Sequence, residues 1–152
     1  MKALIEKFYS AFKNLDSETM TNCYHKDIVF KDPAFGVLKG AKAKNMWCML
    51  CQNQKGKDFK ISYSNITFKN NIGTANWEAH YTFSKTGRKV HNKITAVFEF
   101  KDGKIIRHTD NFNLSHWAQQ AFGTTGYLIG WTSFFRKKLQ AQTNVLLSKY
   151  EK

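Results

Sequence analysis

The stretch His25-Lys-Asp-Ile-Val-Phe-Lys-Asp-Pro-Ala-Phe-Gly36 combines a short strand with an abrupt end. Its first half, centred on Ile28-Val-Phe30, predicts a strand. Asp32-Pro33 ends that strand, because proline lacks an N–H and holds the preceding residue extended. A carboxylate is therefore presented at a strand end beside Phe30 and Phe35, as suits an acid or base facing an apolar hollow. In the alternative interpretation, Asp32 only caps the next turn or helix.

The periodicity of apolar residues changes along the chain, from a helical period to a strand period near residue 58. Three- and four-residue steps predict helices over residues 2–14, 17–24 and 41–52, and Gly36 and Gly40 bracket a predicted turn. Alternation predicts strands over residues 59–68, 75–84, 90–101 and 104–112. Asp102-Gly103 is the strongest turn signal, because glycine takes positive φ at no steric cost. A last helix is predicted from Thr132 or Ser133 to about Tyr150, with Phe135, Leu139, Gln142, Leu146 and Tyr150 on one side.

Helices followed by consecutive antiparallel strands predict an α+β fold. We expect a cone-shaped, curved antiparallel (mixed) β-sheet wrapped around the N-terminal helices, with a pocket between them and an extra C-terminal helix. No linker or repeat divides the 152 residues. The prediction is one domain, residues 1–152, in which 124–152 form a C-terminal helical extension.

The composition limits the classes of partner. The formal charge is +13, yet the lysines are scattered over predicted strands, helices and turns, and no RNA-recognition motif, zinc finger or basic helix is present. We therefore expect no nucleic-acid partner. The N-terminus lacks the apolar run of a signal peptide and no stretch suits a membrane span, so the prediction is a cytoplasmic protein with no membrane partner. Cys48-x-x-Cys51 lies within a predicted helix without further ligands, which favours reduced thiols and no metal or cofactor.

Several motifs resemble the SnoaL-like and ketosteroid isomerase-like proteins of the nuclear transport factor 2 superfamily. The Asp32-Pro turn resembles the isomerases' catalytic turn, and Thr86-Gly-Arg-Lys89 and Asp102-Gly-Lys-Ile105 match turns of the family's sheet. The segments Asn111–Gly123 and Tyr127–Thr132 resemble a bacterial SnoaL-like subgroup. The resemblance implies the cone fold and a homodimer.

Four residues are the candidate catalytic groups: Asp32, Asp110, Tyr9 and His108. The resemblance implies that Asp32 is a base and that Tyr9 donates a hydrogen bond to an enolate oxygen. It aligns the isomerases' second hydrogen-bond donor with Ala96, so that donor is missing here. His108 and Asp110, two apart on the last strand, share one face. By the resemblance that face looks into the pocket, where two carboxyls would raise each other's pKa. Alternatively, Asp110 and His108 form only a structural hydrogen bond.

An aromatic wall is predicted along the strands that face the pocket, although the same wall suits a plain core. The candidate substrate-binding residues are Phe35, Trp47, Trp77, Tyr81, Phe83, Asn92, Phe98 and Trp117. Two functions are expected: a cofactor-independent acid/base enzyme acting on a small hydrophobic carbonyl or polyketide-like molecule, or a non-catalytic binding module of the same fold. Limonene-epoxide-hydrolase-like chemistry is a less well supported third hypothesis, because it needs an Asp-Arg-Asp arrangement. Arg88 lies at a predicted turn and Arg107 on the other face of the last strand.

Overall fold

The computed structural model describes all 152 residues as six helices and one six-stranded sheet. The helices are α1 (Lys2–Lys13), α2 (Ser17–Asn22), α3 (Ala41–Gln54), α4 (Leu114–Phe122), α5 (Thr124–Ile129) and α6 (Ser133–Tyr150). The strands are β1 (Tyr24–Asp32), β2 (Gly36–Lys39), β3 (Lys60–Lys69), β4 (Ile72–Phe83), β5 (Arg88–Lys101) and β6 (Lys104–Asn111).

The strand order in the sheet is β2-β1-β6-β5-β4-β3, and all neighbours are antiparallel except β1 and β6, which are parallel. The β5–β6 turn is Asp102-Gly103, and both residues have positive φ, 51° and 72°. That conformation is the one for which an Asp-Gly pair is suited. The curved, mixed α+β sheet that the sequence predicts is confirmed.

Helix α1 packs against the inner face of the sheet through one apolar stripe. Ile5, Phe8, Tyr9 and Phe12 recur at the spacing of an amphipathic helix and are almost fully buried. The ring of Phe12 lies 5.5 Å from that of Trp77 on β4. The hydrophobic core therefore fills the space between α1 and the inner face of the sheet.

The sequence prediction is wrong for the segment after Asp32. We expected only a turn between Gly36 and Gly40, whereas residues Gly36–Lys39 form β2 and pair antiparallel with β1. The turn is shorter than the predicted one and comes earlier in the chain, since Asp32 already pairs with Gly36. Gly36 supplies the positive φ of 75° that this tight reversal needs.

The C-terminal region contains two short helices that the periodicity did not reveal. Asn113 begins α4 by accepting a 3.0 Å hydrogen bond from the His116 backbone N–H. Helix α5 then packs closely on α4, because a Cβ on Gly126 would lie 1.8 Å from the carbonyl oxygen of Ala118. Only glycine permits this approach, so the compact pair of helices depends on Gly126.

Helix α6 has the predicted bounds, and its buried side agrees with the prediction at Phe135 but not at its C-terminal end. The prediction placed Leu146 and Tyr150 on the apolar face, yet they are 51% and 40% exposed, whereas Leu147 is 1% exposed. The buried stripe runs from Phe135 to Leu147. Polar residues of α6 between these two positions also contact the protein, as described below.

No helix of the chain is both long enough and apolar enough to cross a membrane.

Candidate active site

The parallel pairing of β1 and β6 brings two carboxyl groups to adjacent strand ends. Phe30 pairs with His108 and Lys31 with Thr109, and the next residue in each strand is an aspartate, Asp32 or Asp110. Phe30 and His108 share the inner face, where their ring centroids lie 5.2 Å apart. Since alternate residues share a face, both aspartates also project inward, on strands that neighbour each other at about 4.8 Å.

Both aspartates line a cavity of about 540 Å³ between the sheet and helices α3, α4 and α6. Its wall is mostly apolar, since 19 of the 30 residues that line it are hydrophobic. Seven of the eight predicted binding residues line it, namely Phe35, Trp47, Trp77, Tyr81, Phe83, Asn92 and Trp117. The cavity is large enough for a small organic ligand.

Asp32 is half-buried, and its carboxyl has an unusual protonation equilibrium. Burial raises the pKa of Asp32 to about 7, the Phe35 backbone N–H opposes this shift, and the charge of Asp110 adds to it. The Phe35 N–H donates to Asp32 Oδ1 at 2.6 Å, so Asp32 does cap its own turn. The capping role and the position in the cavity therefore coexist in one residue.

Asp110 is 3% exposed and ends a buried chain of hydrogen bonds. Its Oδ1 lies 3.2 Å from Trp77 Nε1, which donates, and 3.0 Å from His108 Nε2. His108 Nδ1 lies 2.6 Å from the hydroxyl of Tyr24, which accepts a 2.7 Å hydrogen bond from Trp47 Nε1. The proposed structural hydrogen bond between Asp110 and His108 is thus present.

The direction of this chain of hydrogen bonds follows from its first donor. An indole N–H can only donate, so the Tyr24 oxygen accepts from Trp47 and its own proton is directed to His108 Nδ1. The arrangement fits the tautomer of His108 with its hydrogen on Nε2, which donates to Asp110. Two donors therefore fix the Asp110 carboxyl through one oxygen, and its Oδ2 has no protein partner.

Three of the predicted site residues do not line the cavity: Tyr9, His108 and Phe98. All three are fully buried, and Phe98 packs on His108 with ring centroids 4.4 Å apart. The Tyr9 hydroxyl is buried without any hydrogen-bond partner, and burial raises the pKa of this phenol well above its usual value. None of the three reaches the space where a ligand would lie.

Tyr81 and Asn92 provide uncharged polar groups in the cavity wall. Trp117 Nε1 donates to the Tyr81 hydroxyl oxygen at 2.7 Å, which leaves the Tyr81 O–H free to donate elsewhere. Burial raises the pKa of Tyr81, so the phenol keeps its proton at neutral pH. The Asn92 carboxamide makes no side-chain hydrogen bond within the protein. Both groups can therefore bind a carbonyl or hydroxyl of a ligand.

Helix α6 fixes the backbone of the Asp32 turn through three polar side chains, which the sequence analysis missed. Gln140 Nε2, Thr143 Oγ1 and Asn144 Nδ2 donate to the carbonyl oxygens of Pro33, Ala34 and Phe35 at 3.1, 2.8 and 3.0 Å. Their three- and four-residue spacing puts them on one helix face, and that spacing is the only sequence signal for this contact. The turn that carries Asp32 is thereby held against α6.

The positions of alanine, arginine and cysteine limit the chemistry. Ala96 pairs with Asp110 across β5 and β6 and is fully buried, so the second oxyanion donor expected from the isomerases is absent. Arg107 forms an ion pair with Glu99 at 3.3 Å outside the cavity, and the Arg88 guanidinium donates to Gln120. No arginine lines the cavity, which does not fit an Asp-Arg-Asp site.

The three cysteines are unpaired.

An α+β cone that encloses a cavity at its open end is the architecture of the nuclear transport factor 2 superfamily. Residues 5–108 match the SnoaL-like domain family, and the chain belongs to this family. The resemblance that the sequence motifs indicated is therefore confirmed. No curated protein matches the chain.

Several solved structures share the fold at low sequence identity. A candidate polyketide cyclase from Xanthomonas campestris pv. campestris superimposes with a TM-score of 0.63 at 20% identity, over 78% of this chain and 94% of its own. TerC, co-crystallised with polyporic acid, has a TM-score of 0.65 at 15% identity, covering 78% and 95%. An LEH-like epoxide hydrolase of M. tuberculosis has a TM-score of 0.60 at 19% identity, covering 88% and 92%. At such identities the likeness shows the fold alone.

Proposed function

We propose that this protein is a cofactor-independent acid/base enzyme of the isomerase, cyclase or dehydratase type, acting on a small hydrophobic carbonyl or polyketide-like molecule. The observation that carries the proposal is a half-buried carboxyl, Asp32, whose pKa is raised to about 7 in the wall of a largely apolar cavity. A group with this pKa populates both protonation states near neutral pH, which is the condition for efficient general acid/base catalysis.

The proposed roles follow from the hydrogen bonds of each group. Asp32 abstracts a proton next to the ligand carbonyl with its Oδ2, because Oδ1 accepts from Phe35. Tyr81 donates its free O–H to the carbonyl oxygen, on which negative charge develops. The proton taken by Asp32 then returns to the ligand at another carbon or at the carbonyl oxygen, while Asp110, which lines the same space, leaves its Oδ2 free to accept a hydrogen bond from a ligand hydroxyl. Candidate polyketide cyclases among the proteins of similar fold support this class of reaction.

The second candidate function is a non-catalytic binding protein that encloses a hydrophobic ligand. It is favoured by the hydrogen bonds that already occupy both acids, since Asp32 caps its turn and Asp110 ends the buried chain. The absence of a second oxyanion donor at Ala96 points the same way. Under this hypothesis the same cavity binds its ligand without proton transfer.

The test is exchange of α-protons for deuterium in α-tetralone, a hydrophobic bicyclic ketone, followed by NMR. If the enzyme hypothesis holds, the protein accelerates exchange above the buffer rate, and Asp32→Asn lowers that acceleration by about a hundredfold or more. Asp27→Asn is the control, because Asp27 is an exposed aspartate on the same strand. Tyr81→Phe should lower the rate while leaving the fold intact.

Ligand binding is measured in parallel from chemical-shift changes, with α-tetralone and with polyporic acid as probes. Binding in the cavity without catalysed exchange would replace the enzyme hypothesis by the binding hypothesis. Failure of both ligands to perturb any residue that lines the cavity, with no exchange, would contradict both.

A further inference from the structure

The outer face of the β4–β5 hairpin carries two histidines and a glutamate in contact with one another. The strand register pairs His80 directly with His91, and Glu78 lies two residues before His80 on the same face. These residues alternate with Trp77, Ala79 and Tyr81, which line the cavity. The histidine and glutamate cluster therefore projects from the opposite side of the sheet and is independent of the proposed active site.

The local pairing explains why the two histidine rings meet. The His91 backbone N–H donates to the Gln120 side chain at 2.7 Å, on the side away from β4, so His80 and His91 form a non-hydrogen-bonded pair. Side chains lie closest in such pairs. The two rings stack with centroids 3.8 Å apart, and one face of the cluster is open to solvent.

The donor atoms have the spacing of a metal site. One ligand atom from each of Glu78, His80 and His91 lies within 4.8 Å of the others, and His91 Nε2 is 3.1 Å from Glu78 Oε2. Two ligands of a tetrahedral Zn²⁺, at bond lengths of about 2.1 Å, lie about 3.4 Å apart. The His91 and Glu78 atoms are thus already near the separation that one ion requires.

We propose that Glu78, His80 and His91 form a binding site for a borderline-soft divalent cation such as Zn²⁺. The ion takes the place of the hydrogen between His91 Nε2 and Glu78 Oε2, and the imidazole hydrogen moves to Nδ1. Two imidazoles and one carboxylate favour Zn²⁺ over Mg²⁺ or Ca²⁺, which prefer all-oxygen sets. The three protein ligands leave the fourth position open to water or to another donor.

The charges on the neighbouring strands moderate the affinity. Lys60 on β3 pairs with His80, and Lys93 on β5 pairs with Glu78, so both lysines flank the cluster on the same face. The next charged group along β5, Lys89, forms an ion pair at 2.7 Å with Asp58, which lies just before β3. We therefore expect weaker binding than in a closed four-ligand structural site, and tighter binding when a flanking lysine is removed.

The experiment is a calorimetric titration of the reduced 152-residue chain with Zn²⁺ alone. The expected result is one Zn²⁺ per chain, with an affinity that falls at least about tenfold in His80→Ala and in His91→Ala, since even changes to outer-shell partners of a metal cost that much. Lys93→Ala should raise the affinity. His116→Ala and Cys48→Ser are matched controls, an exposed histidine and a half-buried thiol elsewhere, and should bind as the native protein does.

NMR spectra of the histidine rings locate the ion independently. The ring signals of His80 and His91 should shift on addition of Zn²⁺, while those of His116 stay in place. Absence of Zn²⁺ binding to the native protein would overturn the proposal. Binding that persists unchanged in the folded His80→Ala and His91→Ala variants would overturn it as well, because the ion would then lie elsewhere.

Discussion

The inner face of the sheet has two ends that both carry aromatic residues but are differently covered. At the closed end, Phe98 and His108 are fully buried beneath Phe8 and Tyr9 of α1. At the open end, aromatic residues of the same sheet line a cavity, because helices α3, α4 and α6 surround that space without filling it. An aromatic wall is therefore core or binding surface according to what covers it, and the side chains alone do not distinguish the two.

The largest expected effect comes from truncating one aromatic residue at each end. Phe98→Ala at the closed end should lower the free energy of unfolding by about 3–5 kcal/mol, because it leaves a cavity in a filled core. Phe83→Ala at the open end should cost clearly less, since Phe83 already borders an empty space. Urea unfolding of both variants measures the difference, and equal losses would contradict the contrast between the two ends.

Removal of a tyrosine hydroxyl should also lower the free energy of unfolding by different amounts at the two ends. Tyr24→Phe leaves the Trp47 N–H and His108 Nδ1 without their partner in a sealed core, which should cost about 2–3 kcal/mol. Tyr81→Phe leaves only the Trp117 N–H, beside a cavity that water can enter, and should cost at most about 1 kcal/mol. Denaturant midpoints compare the two, and a larger loss for Tyr81→Phe would argue that the cavity end is as dry as the core.

The residue patterns identified the elements of this contrast, and the family resemblance placed Asp32 and Asp110 in one pocket, but no local pattern predicted the strand pairing that brings them together. The Asp32-Pro33 strand end and the Asp102-Gly103 turn were predictable, because proline and glycine determine local backbone geometry. The parallel pairing of β1 with β6 was not, since it joins residues almost eighty positions apart. That pairing sets Asp110 beside Asp32, whereas the closure by α1 removes Tyr9, His108 and Phe98 from the cavity.

Other features depend on contacts that no local pattern encodes. The spacing of the polar α6 residues indicates that they share a helix face but not that this face binds the Asp32 turn, and His80 and His91 meet only through the hairpin register. The homodimer, the cytoplasmic location and the absence of nucleic-acid and membrane partners stay predictions of the sequence.

Asp32→Asn should change how stability depends on pH. The unfolded chain loses this proton near pH 4, the usual aspartate value, whereas the folded protein holds it to about pH 7. Stability therefore falls as the pH rises from about 4 to about 7 and stays low above that. At about pH 8 the variant should be more stable than the native protein by on the order of 2 kcal/mol, less than for a fully buried carboxyl, because Asp32 keeps part of its hydration.

Thermal and urea unfolding at several pH values measure this effect. At about pH 4 the two proteins should be equally stable, because Asp32 is then protonated in the folded state. A constant difference between them at all pH values would show that the substitution acts through packing and not through the charge.

The smallest effect concerns the contact between α6 and the turn. Thr143→Val removes the hydroxyl that donates to Ala34 and should cost about 1 kcal/mol while loosening the Asp32 turn. Ser148→Ala, on an exposed part of the same helix, should change the free energy of unfolding by less than about 0.5 kcal/mol. Hydrogen exchange of the Phe35 amide reports on the turn. Unchanged exchange in Thr143→Val would mean that α6 does not hold it.

The central claim is that Asp32 and Asp110 share one desolvated site, and NMR titration of the side-chain carboxyl carbons tests it most directly. The Asp32 carboxyl should titrate at about pH 7 in the native protein. In Asp110→Asn its midpoint should move toward the usual aspartate value near 4, because a nearby negative charge is removed. An Asp32 midpoint near 4 in the native protein, unchanged by Asp110→Asn, would contradict the shared site and with it the proposed acid/base function.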